Sequence, residues 1–317
     1  MNSQDSGLRN EDREENHTPP LIMEDRDALS LPRSSIPNPR PSLPQAIFLM
    51  GPTASGKTAV AVELAQTLPV EIISVDSALV YRDMNIGTAK PDAATLARAP
   101  HHLIDIIDPT EAYSAAAFRH DALRLMHDIT SRNRIPLLVG GTMLYFKALR
   151  EGLSDLPQAD PEVRAALDAE IAQHGIQHLH RQLAEIDAET AARLKPTDTQ
   201  RIQRAMEIYR ITGQPMSALI RSEPLSPRGR GWGGGELPYR ILPIALIPGD
   251  RAQLHSRIAT RFKSMLELGL VAELRALRNK YPLHPNLPSM RCVGYRQAWQ
   301  YIEGEINEAK LLETGIA

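Results

Sequence analysis

The stretch Gly51-Pro52-Thr53-Ala54-Ser55-Gly56-Lys57-Thr58 decides the fold class, because it matches the phosphate-binding pattern G-x-x-x-x-G-K-[ST]. The apolar run 46–50 precedes it and predicts a buried strand, and the segment 58–68 follows with helical spacing and good helix formers. Strand, glycine loop and helix therefore occur in the order that the motif requires. The sequence predicts a polyphosphate site formed by loop N–H groups, a helix N-terminus and the Lys57 cation, with the Thr58 hydroxyl placed for Mg²⁺.

Composition excludes several classes of protein. The chain has 317 residues and a formal net charge of −2, so any nucleic acid must be bound by local basic patches. Its single cysteine, Cys292, excludes an internal disulfide and a zinc site with several cysteines, which suits a reducing cytoplasm. No apolar run approaches the roughly 20 residues of a membrane span, and the N-terminus has no signal-peptide pattern. We expect a monomeric cytoplasmic protein with no membrane partner.

Two further strands are predicted at 70–75 and 135–139, and polar residues follow each of them directly. Asp76 follows the first, and Gly140-Gly141-Thr142 ends the second. Ligands of parallel α/β sheets bind outside the carboxyl ends of the strands, so we expect Asp76 and Thr142 to lie near the phosphate-binding loop. The sequence pattern alone leaves three roles open for Asp76, namely holding Mg²⁺ through water, capping a helix, or acting as a general base.

Strand signals disappear after residue 152 and return near residue 240. The segment 153–215 predicts an all-helical insertion domain in a P-loop NTPase-like α/β fold, in which a parallel sheet is flanked by helices. The core then comprises residues 45–152 and 216–317. Residues 223–237 are rich in glycine and predict a flexible loop, and residues 1–44 are polar and rich in proline, which predicts a disordered extension.

Basic residues at helical spacing provide two candidate anion contacts. Arg201 and Arg204 are three residues apart on one predicted helix, where they could bind a nucleic-acid backbone or form a solvated face. Arg257 and Arg261 are four residues apart on another helix, where they could reach phosphates or form surface salt bridges. The pair His101-His102 predicts a loop or packing role rather than a metal site, because no third ligand has a recognisable spacing.

Six motifs occur together in a fixed order: G-P-T-A-S-G-K-T, D-S-A-L-V-Y-R-D-M-N-I-G-T-A-K-P, H-H-L-I-D, G-G-T-M-L-Y-F-K-A-L, D-T-Q-R-I-Q-R-A-M-E-I and R-C-V-G-Y-R. From about Gln45 to its end, the chain closely resembles the family of bacterial tRNA dimethylallyltransferases. The resemblance implies that a dimethylallyl group moves from dimethylallyl diphosphate to N6 of adenosine 37 in tRNA, and that pyrophosphate leaves. The phosphate-binding loop would then hold a leaving group, with Mg²⁺ as cofactor.

The resemblance also implies roles for individual residues. Asp76 would be the general base, with Thr142 beside the reacting centre and Lys57 neutralising the diphosphate. Diphosphate binding is assigned to Gly51, Pro52, Thr53, Ala54, Ser55, Gly56, Lys57, Thr58 and Arg261, and Thr58 is the metal ligand. Contacts with tRNA are assigned to Asp76, Ser77, Ala78, Leu79, Thr142, Arg164, Gln200, Arg201, Ile202, Gln203, Arg204, Arg291, Cys292, Val293, Gly294, Tyr295 and Arg296. The helical insertion would clamp the anticodon stem while the adenine flips into a channel.

The chain departs from the family pattern at both ends. Residues 1–44 are not part of that pattern, and we expect them to be dispensable. Members of the family usually continue with a basic segment that contains tryptophan, which this sequence lacks after Ala317, and we expect the diphosphate site to form without it. Two other functions use the same loop: a small-molecule kinase that binds ATP, and a non-catalytic RNA-binding protein gated by a nucleotide.

Overall fold

A computed structural model describes residues 45–153, 156–222 and 237–316, without the side chains of residues 221 and 222. These residues belong to one compact unit. The predicted disordered extension 1–44 lies outside the described residues, as does the predicted flexible loop except for residue 237. None of the described helices is long and apolar enough to cross a membrane.

The described strands form a parallel sheet in the order β3-β2-β4-β1-β5, which confirms the predicted fold class. The strands are β1 (Ala46–Met50), β2 (Val70–Val75), β3 (His101–His102), β4 (Ile135–Gly140) and β5 (Ile241–Ala245). The helices are α1 (Lys57–Thr67), α2 (Ala93–Arg98), α3 (Ala115–Ser131), α4 (Met143–Glu151), α5 (Pro161–His174), α6 (Ile176–Ile186), α7 (Ala188–Arg193), α8 (Thr199–Thr212), α9 (Met216–Ser222), α10 (Arg251–Glu267), α11 (Leu270–Lys280), α12 (Tyr295–Ile302) and α13 (Glu308–Ile316).

Successive side chains of each strand point to opposite faces of the sheet, and helices pack against both faces. Phe48 and Leu138 pack in a cluster that contains residues of α3 and α4, including Phe118. Leu49 and Leu137, which alternate with them, belong to a second cluster with residues of α1. This alternation is the period-two pattern of a strand whose two faces are both buried.

Two further apolar clusters lie outside the sheet. The helices α5 to α8 surround one that contains Leu167, Leu183 and Ile202, and the described residues between α4 and β5 contain helices but no strand. The boundaries of the predicted insertion domain stay a prediction. The other cluster joins α10 to α13 to the segment after β2, through residues such as Met84 and Phe262.

Two local sequence predictions need correction. His101 and His102 form a short edge strand, which excludes the loop and leaves the packing alternative of that prediction; the His101 Nδ1 atom lies 2.6 Å from the Ala99 carbonyl oxygen, and His102 Nε2 lies 3.2 Å from a carboxylate oxygen of Glu71. The first helix begins at Lys57 rather than at Thr58, because Gly56 takes a φ of 90° and turns the chain directly into it.

The end of β4 approaches β2 so closely that a side chain does not fit. A Cβ atom on Gly140 would lie 1.9 Å from the Val75 carbonyl oxygen, a backbone atom that cannot rotate away. Gly249 has no such neighbour, since a Cβ atom there would meet nothing within 4 Å among the described residues.

We therefore expect Gly140→Ala to lower the free energy of unfolding by about 3 kcal/mol, at the upper end of the usual range for overpacking. Gly249→Ala is the matched control and should change it by less than about 0.5 kcal/mol. Urea unfolding of the three proteins measures both values. Equal stabilities of the two variants would contradict the close approach of β4 to β2.

Candidate active site and adjoining cleft

The register of the sheet aligns the ends of three strands, and the predicted site residues follow these ends directly. Val75 pairs with Gly140, and Gly140 pairs with Met50, so β2, β4 and β1 end side by side. The residues that follow these strands are Asp76, Gly141 and Gly51. A Cβ atom on Gly141 would lie 3.2 Å from the Gly51 carbonyl oxygen, which shows how closely the two glycine loops approach.

The loop 51–56 leads into α1 and leaves its first N–H groups without a side-chain cap. The helix N-terminus therefore offers partial positive charge and N–H donors to an anion. The ammonium of Lys57 folds over the loop, where it donates to the Pro52 carbonyl oxygen at 2.6 Å and contacts the Ser55 hydroxyl at 3.4 Å. Thr58 is exposed in the first turn of α1. Together these groups form a nest that can bind phosphates.

Asp76 has a capping role, although it caps a turn and not a helix, and its roles as a base or a Mg²⁺ ligand stay predictions. Its Oδ1 atom accepts hydrogen bonds from Ala78 N at 2.8 Å and Leu79 N at 3.3 Å, so it caps the turn after β2. Its Oδ2 atom accepts no hydrogen bond from the residues that the structure describes. One carboxylate oxygen thus positions the group, and the other is available to a ligand.

Thr142 links the second glycine loop to Asp76. The Thr142 hydroxyl oxygen accepts a hydrogen bond from Ser77 N at 3.2 Å, and Thr142 N donates to the Val75 carbonyl oxygen at 3.3 Å. The hydroxyl proton remains free to be donated. The residues directly after β2 and β4 are therefore tied together at the same edge of the sheet.

Lys57, Asp76 and Arg261 lie close enough to influence one another electrostatically. Burial lowers the pKa of Lys57 below its ordinary value; the Asp76 carboxylate opposes this shift, and the Arg261 guanidinium adds to it. Burial also lowers the pKa of Arg261, while Asp76 raises it. Two cations and one carboxylate thus share a partly buried site, where a bound polyanion would compensate the excess positive charge.

Arg261 is held in this site by contacts that the sequence did not predict. Its guanidinium donates to the Thr88 carbonyl oxygen at 3.4 Å. The preceding loop is clamped by Glu273, whose carboxylate accepts hydrogen bonds from the backbone N–H groups of Asn85, Ile86 and Gly87 and from the Tyr295 hydroxyl. By contrast, Arg257 is exposed and donates to Gln253 on its own helix, so only one arginine of that predicted pair reaches the site.

Two further titratable groups, of Cys292 and Tyr145, lie within electrostatic reach of Asp76. Burial raises the pKa of the Cys292 thiol to about 12, and the charge of Asp76 adds to this shift. Burial likewise raises the pKa of Tyr145 to about 12, with contributions from Asp76 and Cys292. Both groups stay protonated near neutral pH, so neither is a nucleophile there.

A cleft of about 1400 Å³ adjoins this site. Six of the predicted RNA contacts line it: Arg164, Gln200, Arg201, Gln203, Arg204 and Arg291. Lys57, Asp76 and Thr142, which the structure also describes, do not line it. The two regions meet at the segment 291–292, because Arg291 lines the cleft and Cys292 lies within electrostatic reach of Asp76.

A buried carboxylate organises the basic wall of this cleft. Glu207 is fully buried; Arg164 Nε donates to it at 2.8 Å, Arg204 Nη1 at 2.5 Å and Asp160 N at 3.0 Å. Burial alone would raise the pKa of Glu207, but the hydrogen bonds from the two arginines hold it below its usual range. Arg201 instead pairs with Asp198 and keeps 73% of its side chain exposed.

Two predicted RNA contacts are corrected by burial. Ile202 belongs to the apolar cluster of α5 to α8, and the Tyr295 ring lies in the cluster of α10 to α13, each with no exposed surface. Their side chains cannot contact a ligand. They pack in the apolar clusters beneath the residues that form the surface. Gly294 is also buried, whereas Val293 and Arg296 are exposed. The remaining assignments to RNA and diphosphate stay predictions.

Comparison with known proteins gives consistent matches over most of the chain. Residues 79–317 match the family model described as IPP transferase. The chain is 60% identical over 277 residues to the tRNA dimethylallyltransferase of Methylobacillus flagellatus, covering 87% of this chain and 85% of that protein. It is 61% identical over 274 residues to the enzyme of the same name from Ralstonia nicotianae, covering 86% and 84%.

Solved structures with the same fold agree with these matches. The tRNA isopentenylpyrophosphate transferase of Bacillus halodurans is 36% identical, with a TM-score of 0.58, and the match covers 86% of this chain and 82% of that one. A eukaryotic dimethylallyltransferase that acts on tRNA is 25% identical, with a TM-score of 0.64, covering 86% and 66%.

The lowered pKa of Lys57 predicts how pyrophosphate binding depends on pH. Because burial favours the neutral amine, the cation is lost at a lower pH than the value of about 10.4 for a free lysine. The affinity for pyrophosphate should therefore begin to fall at a lower pH in the wild type than in Lys57→Arg, because the guanidinium of the variant keeps its proton. Calorimetric titration with pyrophosphate, without Mg²⁺, between about pH 7 and pH 10 measures this difference.

Pyrophosphate also changes its protonation state with pH. This affects its binding to both proteins equally, so it does not contribute to the difference between the wild type and Lys57→Arg. Lys57→Met should bind pyrophosphate weakly over the whole range. Parallel profiles for the wild type and Lys57→Arg would show that Lys57 does not titrate in this range.

Proposed function

The chain belongs to the IPP transferase family, and we propose from this premise that it transfers a dimethylallyl group from dimethylallyl diphosphate to N6 of adenosine 37 in tRNA. The product is N6-(dimethylallyl)adenosine, and pyrophosphate is released. One observation carries the proposal: the phosphate-binding loop and a carboxylate with an available oxygen follow the two strands that flank β4, at the same edge of the sheet. An alkyl transfer to an amine needs both, because it creates an anion and releases a proton.

The leaving diphosphate is bound by the loop 51–58. The N-terminus of α1, the Lys57 ammonium and the Arg261 guanidinium all present positive charge to it. Negative charge grows on the departing oxygen as the bond from C1 of the dimethylallyl group to that oxygen breaks. Groups that are already in place stabilise this charge without reorganising, which lowers the barrier.

The amine is deprotonated by Asp76. As the bond from N6 to C1 forms, N6 becomes positively charged and gives a proton to Oδ2, while the electrons of the broken C1–O bond leave with pyrophosphate. Oδ1 continues to accept hydrogen bonds from Ala78 N and Leu79 N and keeps the carboxylate oriented. Thr142, which is tied to Ser77, positions the substrate beside this carboxylate.

Mg²⁺ fits the donor set at the phosphate-binding loop. The described residues contain no group of three or more His, Cys, Asp or Glu side chains that could hold a metal by themselves. Mg²⁺ often uses few protein ligands and keeps waters and substrate phosphates, so the exposed Thr58 hydroxyl suits it. When bound, the ion would neutralise charge on the diphosphate. Lys57 and Arg261 carry the remaining positive charge.

The RNA substrate would enter through the adjoining cleft. Arg164, Gln200, Arg201, Arg204 and Arg291 line the cleft and offer cations and amides to a phosphate backbone. The junction at 291–292 would let an unstacked adenine pass from the cleft to Asp76. We propose that the protein acts as a monomer in the cytoplasm.

The activity is tested with labelled dimethylallyl diphosphate and an anticodon stem-loop RNA that carries adenosine at position 37. Label in the RNA, lost when that adenosine is replaced by guanosine, supports the transferase. ATP-dependent label in a small molecule, with none in the RNA, would favour the kinase and overturn the proposal.

Asp76→Asn separates chemistry from binding. Asn keeps the oxygen that caps the turn but cannot accept the proton, so we expect kcat to fall by about 10²- to 10⁴-fold with little change in RNA affinity. Single-turnover assays and RNA titrations measure the two effects. Asp92→Asn, which alters an exposed helix cap on α2, is the matched control and should retain the wild-type rate. Full turnover of Asp76→Asn would reject the base role.

A further inference from the structure

The cleft has a second wall that none of the predicted RNA contacts occupies. Predicted contacts on α5 and α8, such as Arg164 and Arg201, form one set of lining residues. A separate set belongs to α3 and the residue before it, from Ser114 to His127. Arg119, His120, Arg124 and His127 of α3 all line the cleft.

Three of these side chains form a stripe on the solvent face of α3. His120, Arg124 and His127 are spaced by four and three residues, which places them on one side of a helix. The opposite side is buried against the sheet through residues such as Phe118 and Met126. The side chain of His120 is 80% exposed and that of Arg124 is 64% exposed, and His127 is exposed as well.

The carboxylate of Asp121 lies beside this stripe and pairs with it only weakly. It lies 3.4 Å from His120 Nδ1 and 4.0 Å from Arg124 Nη2, and it also accepts a hydrogen bond from the Tyr113 hydroxyl at 2.8 Å. Exposed pairs at such distances contribute at most about 1 kcal/mol and are easily exchanged for a stronger anion. Arg119 differs from the stripe, because its Nε donates to the Ala148 carbonyl oxygen at 3.1 Å.

The charged side chains among the described lining residues of the cleft all carry the same sign. They are arginines 119, 124, 164, 201, 204 and 291, although the chain as a whole has a net charge of −2, and the carboxylates of Asp121, Asp198 and Glu207, which pair with four of them, lie outside this lining. A concave surface of one sign focuses the potential and attracts a polyanion. Its size also exceeds the upper range of a small-molecule pocket, about 1,000 Å³.

We propose that α3 is a second RNA-binding wall, on which His120, Arg124 and His127 contact backbone phosphates of the RNA that the α5 and α8 wall contacts from the opposite side. This proposal rests on the proposed function, which supplies RNA as the polyanion. Double-stranded RNA is recognised mainly by shape and backbone contacts, and two basic walls can contact its two strands at once. The α3 wall therefore adds affinity and alignment of the stem rather than base specificity.

The salt dependence of RNA binding tests the proposal. A phosphate contact that is lost reduces the slope of log K against log salt concentration by about 1. We expect this reduction, together with a raised KM for RNA, for Arg124→Gln. Arg124→Lys, which keeps the charge, should retain the slope. The binding of an anticodon stem-loop is measured between 50 and 200 mM salt, and circular dichroism checks that each variant is folded.

Two further variants sharpen the test. Arg98→Gln removes an exposed arginine from α2, which does not line the cleft, and should leave the slope unchanged. Combining Arg124→Gln with Arg201→Gln should lower the slope by about 2, because the two walls contact different phosphates. A double variant that loses no more than Arg201→Gln alone would contradict two separate walls.

The outcomes distinguish this proposal from the proposed function. If the wild type modifies the RNA but Arg124→Gln keeps its salt slope, the α3 wall is overturned and the proposed function stands. An effect of Arg124→Gln on the KM for dimethylallyl diphosphate, without one on RNA binding, would assign α3 to the donor and also overturn the wall. A wild type that neither binds nor modifies the RNA overturns both.

Discussion

The site depends on one constraint, which is that β2, β4 and β1 end at the same level. Backbone pairing of Val75 with Gly140 and of Gly140 with Met50 sets this level. The phosphate-binding loop follows β1, and Asp76 follows β2. The strand β4 lies between these two strands and brings them together by pairing with both. Gly140 permits the close contact, since any larger residue would meet the Val75 carbonyl oxygen.

The charges at this edge of the sheet favour the binding of an anion. Lys57 and Arg261 are partly desolvated, which makes each cation costly in the absence of a counterion, and the pKa of each is lowered accordingly. Asp76 compensates only one of these charges. A diphosphate supplies the missing negative charge, so binding it relieves the cost of burying the cations. The same excess of positive charge favours pyrophosphate as a leaving group.

The parts of the fold that depend on local sequence could be predicted, and the parts that depend on contacts between distant segments could not. The loop 51–58 and the buried strands carry their signals within a few residues. Asp76 was correctly placed at the sheet edge, but its three possible roles could not be separated. The structure shows that capping by Oδ1 leaves Oδ2 available, so a cap and a base are compatible.

Other residues lacked a local signal altogether. The burial of Ile202 and Tyr295 depends on clusters that bring together distant helices, and the motifs around them did not indicate it. Glu273 clamps a loop that lies more than 180 residues earlier in the chain, a contact that no spacing encodes. The stripe on α3 is visible in the sequence as basic residue types four and three residues apart, but its meaning depends on the other residues that line the cleft.

The segment 291–295 shows how one short stretch can couple the two regions of the site. Arg291 lines the RNA-facing cleft, and Cys292 lies within electrostatic reach of Asp76. Tyr295 then donates its hydroxyl proton to Glu273, which clamps the loop whose Thr88 carbonyl oxygen holds Arg261. A displacement of Arg291 by a bound polyanion would therefore act on a segment that also borders the proposed general base and supports the proposed diphosphate site. In the proposed reaction, substrate alignment and leaving-group stabilisation would both depend on this segment.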